Sequence, residues 1–228
     1  MGVSFLTLLI LATILSPVAG SNSVNIFPAG SKPYGLTYAD HIENFWRWSL
    51  HIPANENPIN DTAGVECAIG QNNTNSSVFY LTFNNGGKSQ RSCEVPAGKG
   101  LFLPVMQVEH SDKEDKGATV DALHAGAKKD QDNVNSLNLK IGDKQYKYED
   151  LYKYRIHTEV FDVVFPNNGI FGVKEGGSSK AVADGFYIIT EPLTKGNYTI
   201  HYSSSLICPE PDPDCNFAQD ITYNIIAK

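Results

Sequence analysis

The sequence predicts a mainly β protein: a single-domain β-sandwich with one N-terminal helix and one short surface helix, stapled by disulfides. Three observations carry this. From Leu137 onward apolar residues recur with a period of two, in short runs bounded by Gly, Pro or Asn. Helical spacing is confined to two stretches upstream of that point. The chain has 4 cysteines, an even set that suits two disulfides in an exported protein.

The elements follow in order. Residues 1–20 read as a secretory signal peptide: the apolar run at 5–15 is shorter than the ~20 residues a membrane span needs, and small residues follow Pro17. Residues 21–228 then form one domain, its opening segment 21–35 expected to be mobile. Thr37 can cap the first helix, with Asp40 three residues on completing a capping box. Ile42, Phe45, Trp46 and Ser49 share its helical spacing, and Pro53 ends it.

Residues 67–106 read as a disulfide-stapled meander with strands at 78–83, 90–95 and 101–106. Its turns are Asn84-Asn85-Gly86-Gly87 and Pro96-Ala97-Gly98-Lys99-Gly100. Polarity changes at Glu109, so residues 110–116 read as a charged loop. A surface helix over 118–132 follows, with a thin stripe of Val120, Leu123 and Ala127. Beyond it come a hairpin through Leu139 and Tyr146, then strands at 154–165, 185–190, 197–203 and 220–226. In the last, Ile221, Tyr223 and Ile225 share one face, and that strand is expected to close a sheet edge.

A formal net charge of -7, with no run of Lys or Arg longer than two residues, argues against a nucleic-acid partner. The preferred pairings are Cys67 with Cys93 and Cys208 with Cys215, worth about 3.5 and 2.5 kcal/mol by loop closure. Asn-x-Ser/Thr sequons at Asn60, Asn72, Asn75 and Asn197 are candidate glycosylation sites and fit an exported chain.

No nucleophile elbow, zinc helix or phosphate loop is present, so no catalytic residue is nominated. Trp46 and Trp48 lie about 200° apart around the helix, so one must make a contact away from the core of the other. They are candidate binding residues, with His51 at the helix end and His110 with Asp112 at the charged loop; His110 could join Asp112 or Glu114 around a metal. Glu210, Asp212 and Asp214, in the proline-rich loop between Cys208 and Cys215, are candidate calcium ligands. That extended loop lacks the glycine of a chelating turn, and a solvated structural loop without a cofactor is the expectation.

The order of Phe45-Trp46-Arg47-Trp48, Arg91-Ser92-Cys93-Glu94-Val95-Pro96-Ala97-Gly98-Lys99, Asp184-Gly185-Phe186-Tyr187 and Pro192-Leu193-Thr194-Lys195-Gly196 resembles a widespread family of exported, functionally uncharacterised prokaryotic proteins rich in β structure. The resemblance covers nearly all of the mature chain and implies no activity. His157-Thr158-Glu159 and the Cys208 loop depart from the family pattern.

These features point to a secreted or extracellular binding or structural module without a transmembrane segment in its mature chain, its partner a glycan or a protein of the cell envelope. Two other readings stand beside it. An extracellular hydrolase acting on polysaccharide or peptide would need a cleft lined by paired carboxylates, or by a His with an Asp. A subunit of a filament or surface layer would use residues 21–35 as a strand added to its neighbour.

Overall fold

The computed structural model describes residues 21–71, 75–209 and 216–228. Among them the fold is mainly β, with two five-stranded sheets packed as a sandwich. A 3-10 turn at Pro33–Gly35 leads into helix α1, Tyr38–Leu50. Strands β1, Val78–Tyr80, β2, Gly87–Val95, and β3, Gly100–Ser111, precede helix α2, Val120–Asp132. Then come β4, Val134–Ile141, β5, Lys144–Lys147, the single-turn helix α3, Tyr148–Leu151, β6, Arg155–His157, and β7, Phe161–Phe165. The chain finishes with β8, Gly177–Ile189, β9, Gly196–Leu206, and β10, Phe217–Ala227. One sheet runs β1-β3-β8-β6, with β7 also on β8; the other runs β2-β10-β9-β4-β5.

Helix α1 begins as its sequence predicts. Thr37 Oγ1 accepts the Asp40 N–H at 3.1 Å, and Asp40 Oδ2 accepts the Thr37 N–H at 2.8 Å, so two orphan donors are satisfied reciprocally. At the other end Asn57 Nδ2 donates to the Ser49 and Ile52 carbonyls at 2.8 and 3.1 Å. The helix lays Phe45 on Phe102 of β3, ring centroids 5.0 Å apart, and sends the Trp46 Nε1–H to the Tyr187 hydroxyl of β8 at 3.3 Å. On its far side Trp48 tilts against Tyr80 and donates to the Ile69 carbonyl at 2.9 Å.

Several expectations are corrected. Residues 67–106 do not form a meander: β1 pairs parallel with β3 in one sheet, while β2 pairs parallel with β10 in the other. Parallel pairing joins segments distant in sequence and leaves no turn signature to read. For the same reason β10 is interior, between β2 and β9, and does not close an edge. The single strand expected over 154–165 is split into β6 and β7, where Thr158 turns to pair its own N–H and Oγ1 with Ala183. Strand β3 also runs on to Ser111, past the point where a charged loop was expected.

Cys67 and Cys93 are bonded, Cα atoms 6.1 Å apart, tying the loop after α1 to β2. Cys208 is disulfide-bonded as well; its expected partner Cys215 lies outside the described residues. Residues 21–35, expected to be mobile, lie along the body: Asn22 N–H donates to the Asn197 carbonyl at 2.9 Å, Phe27 N–H donates to that of Ile189 at 2.8 Å, and Ile26 bridges Thr190. No helix among the described residues is long and apolar enough to cross a membrane.

Candidate functional site

The site is organised by the uncovered half of β3. Strand β1 pairs with it only as far as Phe102, so beyond that residue β3 is flanked by β8 on one side alone. A cavity of about 470 Å³ runs along this free edge. Because the edge itself is exposed to the cavity, four consecutive residues, Met106 to Glu109, line it from both faces of the strand.

Sheet pairing decides which way these side chains point. Gln107 lies opposite Gly185 and Glu109 opposite Ala183, small residues sharing their face. Gly185 must be small: a Cβ there would stand 2.5 Å from the Met106 carbonyl oxygen and 2.7 Å from Gln107 Cα. On the opposite face Val108 joins Val182, Leu123 and Ala127 beneath α2, whose C-terminal turn delivers Gln131 to the cavity.

The edge is dressed unevenly. The Val105 carbonyl accepts Ser204 Oγ–H at 2.7 Å and Gln219 Nε2–H at 2.8 Å. A few residues on, the polar atoms have nothing. Gln107 is 9 % exposed, Glu109 7 % and Gln131 2 %. Yet Gln107 Oε1, both carboxyl oxygens of Glu109 and both amide atoms of Gln131 lack a hydrogen-bond partner of acceptable geometry. A buried polar group left unmade costs roughly 1–3 kcal/mol, so three around one cavity mark it as a place where a partner is missing.

Glu109 is not electrically isolated. Burial pushes its carboxyl well above the usual range, and the neighbouring Glu114 carboxylate adds to the shift. Glu114, which also lines the cavity, is pushed up by burial too, while it accepts a short hydrogen bond from Ser111 Oγ. The two carboxyls stand close enough to act on one another's titration and favour a state with one proton between them.

His110 braces the rim. Nδ1 meets Asp115 Oδ2 at 2.7 Å and Nε2 meets Asp130 Oδ2 at 3.0 Å, linking the loop that carries Glu114 to the end of α2 that carries Gln131. The Asp130 hydrogen bond, helped by Asp115 against the effect of burial, raises the imidazole to about 9, so it is charged at neutral pH. Aromatic rings supply the walls. Trp46 and Phe83 stand 5.6 Å apart, and Phe171 stacks on Phe83 at 6.5 Å. Phe171 is 42 % exposed and sits at φ 57, a left-handed conformation costly for a bulky residue.

Of the residues singled out from sequence, Trp46 lines this cavity and His110 braces it. Trp48 is held on the opposite side of α1, and His51 is exposed with Nδ1 at 3.2 Å from the Val164 carbonyl. Asp112, expected beside His110, instead accepts Ser179 Oγ–H and, at 3.2 Å, the Lys180 N–H, tying the loop to β8. His110 thus gathers Asp115 and Asp130 in place of Asp112 or Glu114, and among the described residues no group of three or more His, Cys, Asp or Glu is placed to hold a metal ion. Glu210, Asp212 and Asp214 lie outside the described residues, as does Asn72. Asn60, Asn75 and Asn197 are exposed. Glu114, named from sequence only as a possible metal partner of His110, lines the cavity instead, whereas Gln107, Glu109 and Gln131 carry no signal that sequence reasoning used; the one available was the apolar Met106 and Val108 continuing β3 toward Ser111.

No family model matches the chain, and no curated protein matches it. A solved structure described as "Structure of PbICP-C in complex with falcipain-2" is similar at 13% identity, covering 66% of this chain and 98% of that one with a TM-score of 0.26. A likeness that loose carries no functional argument.

Proposed function

We propose that the protein is an exported binding module and that its ligand enters the cavity along the free edge of β3. The observation that carries this reading is the convergence of unpartnered polar atoms from Gln107, Glu109 and Gln131 in one cavity. A purely structural core would have satisfied those groups or replaced them with apolar ones. The rings of Phe83 and Phe171 give a bound molecule apolar surface beside those polar atoms, the usual mixture in a ligand pocket. Export fits the Cys67–Cys93 disulfide and the exposed sequon residues Asn60, Asn75 and Asn197.

The test is thermal unfolding of the protein against a panel of oligosaccharides, short peptides and small polar solutes. At least one class should raise the midpoint of the wild type and raise that of Gln131→Leu by less. Identical shifts in both proteins, or none with any class, would refute the assignment of the cavity.

Paired carboxyls in a cleft also favour the hydrolase as a second reading. Glu109 and Glu114 interact directly, whereas a glycosidase pair is held ~5 Å or more apart, so a proton-sharing dyad acting on peptide is the form this reading takes. Turnover of a peptide library, abolished in Glu114→Gln, would establish it; absence of cleavage by the folded wild type removes it.

A further inference from the structure

We infer that the cavity takes an organic cation: a primary ammonium group carried on a short apolar or aromatic stem. This deepens the binding reading above and rests on it. The charge of the lining is one-sided. Its ionisable residues are Glu109, Glu114 and Asp130, and among the described residues no Lys, Arg or His lines it. An anionic ligand would therefore be repelled by the charges that line the cavity, and the charged His110 at the rim is already paired with Asp115 and Asp130.

The unspent hydrogen-bonding capacity points the same way. Gln107 Oε1, the Glu109 carboxyl oxygens and Gln131 Oε1 are acceptors, with the Gln131 amide supplying the orphan donor. An ammonium group brings three donors and no acceptor, which matches that surplus. Around them stand the aromatic side chains of Trp46, Phe83, Phe171 and Phe217, a lining suited to a cation on an apolar stem. A bare metal ion does not suit the site, because the acids are not arranged as a ligand cluster and the remaining walls are aromatic.

Entry of a cation expels the proton held between the two carboxyls, so binding releases a proton and tightens as pH rises. The groups facing this pair are Asp115 on the loop, His110 on β3, Asp130 on α2 and Tyr187 on β8. His110 keeps its charge until about 9, and burial holds Tyr187 neutral beyond that. The carboxyl pair, held above its ordinary value of 4.5, is therefore the part of this set to which the pH dependence of binding is assigned.

Calorimetric titration with 2-phenylethylamine, its neutral analogue 2-phenylethanol and the anion phenylacetate tests this. The amine should bind at least about tenfold more tightly than the alcohol, the size of one lost charge-assisted hydrogen bond, and phenylacetate should not bind. Its affinity should rise about tenfold between roughly pH 5.5 and pH 8. Glu109→Gln should erase both the preference and the pH dependence; Gln131→Leu should weaken the amine while leaving its pH dependence. Equal binding of alcohol and amine, sensitive to Gln131→Leu, overturns the cation and leaves the binding site standing. No binding by any of the three overturns the cation, and a flat ligand panel in the thermal test then removes the site as well.

Discussion

Two of the buried ionisable side chains in this sandwich, Arg91 and Glu109, are treated in opposite ways. Arg91 on β2 is 1 % exposed, yet its guanidinium donates to the Thr82, Phe83 and Ile59 carbonyls and to the hydroxyls of Thr82 and Tyr223, at 2.6 to 3.2 Å. It also rests over the Tyr223 ring at 5.4 Å, and only its Nε lacks a partner. Glu109 on β3 is nearly as buried, and no donor of the fold other than a proton shared with Glu114 serves its oxygens in acceptable geometry. The first is a built-in tie, paired on nearly every donor; the second is an acid that the fold leaves short of partners. The tie supports the acid's surroundings, since the Phe83 segment that Arg91 grips forms one wall of the cavity. A fold that can satisfy a buried Arg so fully has the means to satisfy a buried Glu, which makes the omission at Glu109 informative.

The comparison can be broken most directly at Arg91. Arg91→Leu should destabilise by about 4 kcal/mol in chemical denaturation, because it strands the carbonyls the guanidinium now serves. A loss under about 1 kcal/mol would mean the network is incidental. Removing the Cys67–Cys93 bridge by paired Ser substitution, which frees a loop of sequence separation 26, should cost about 3.5 kcal/mol. That loss belongs to the Arg91 end and should leave the pH dependence set by Glu109 unchanged. On the cavity side the sign reverses: Gln131→Leu, removing two orphan amide atoms from a helix, should stabilise by about 1 kcal/mol.

The same contrast explains what could be read in advance. The Thr37–Asp40 capping box and the alternation in β9 and β10 are local patterns, and each stands where the sequence places it. The parallel partners of β1 and β2 are set by packing between distant segments, so neighbours in sequence were mistaken for neighbours in space. The cavity was half legible. Trp46 and His110 are unusual residue types, but Gln107 and Glu109 look like surface residues, and their polarity mimics the end of a strand that in fact continues. Residues that break the rule of apolar burial are the ones that sequence patterning misassigns, and here they are the ones lining the site.

The most direct measurement is the folding stability of the wild type and Glu109→Gln as a function of pH. A carboxyl held above its ordinary value of 4.5 in the folded state binds a proton there more tightly than in the unfolded chain. Wild-type stability should therefore fall as pH rises above about 4.5 toward the raised value of the folded state, because the unfolded chain loses this proton first. Glu109→Gln should be flatter across that range and, at pH 7, more stable than the wild type by about 1 kcal/mol. A variant that is less stable at pH 7, or that keeps the wild-type slope, would contradict the claim that Glu109 is an under-satisfied buried acid kept for a ligand.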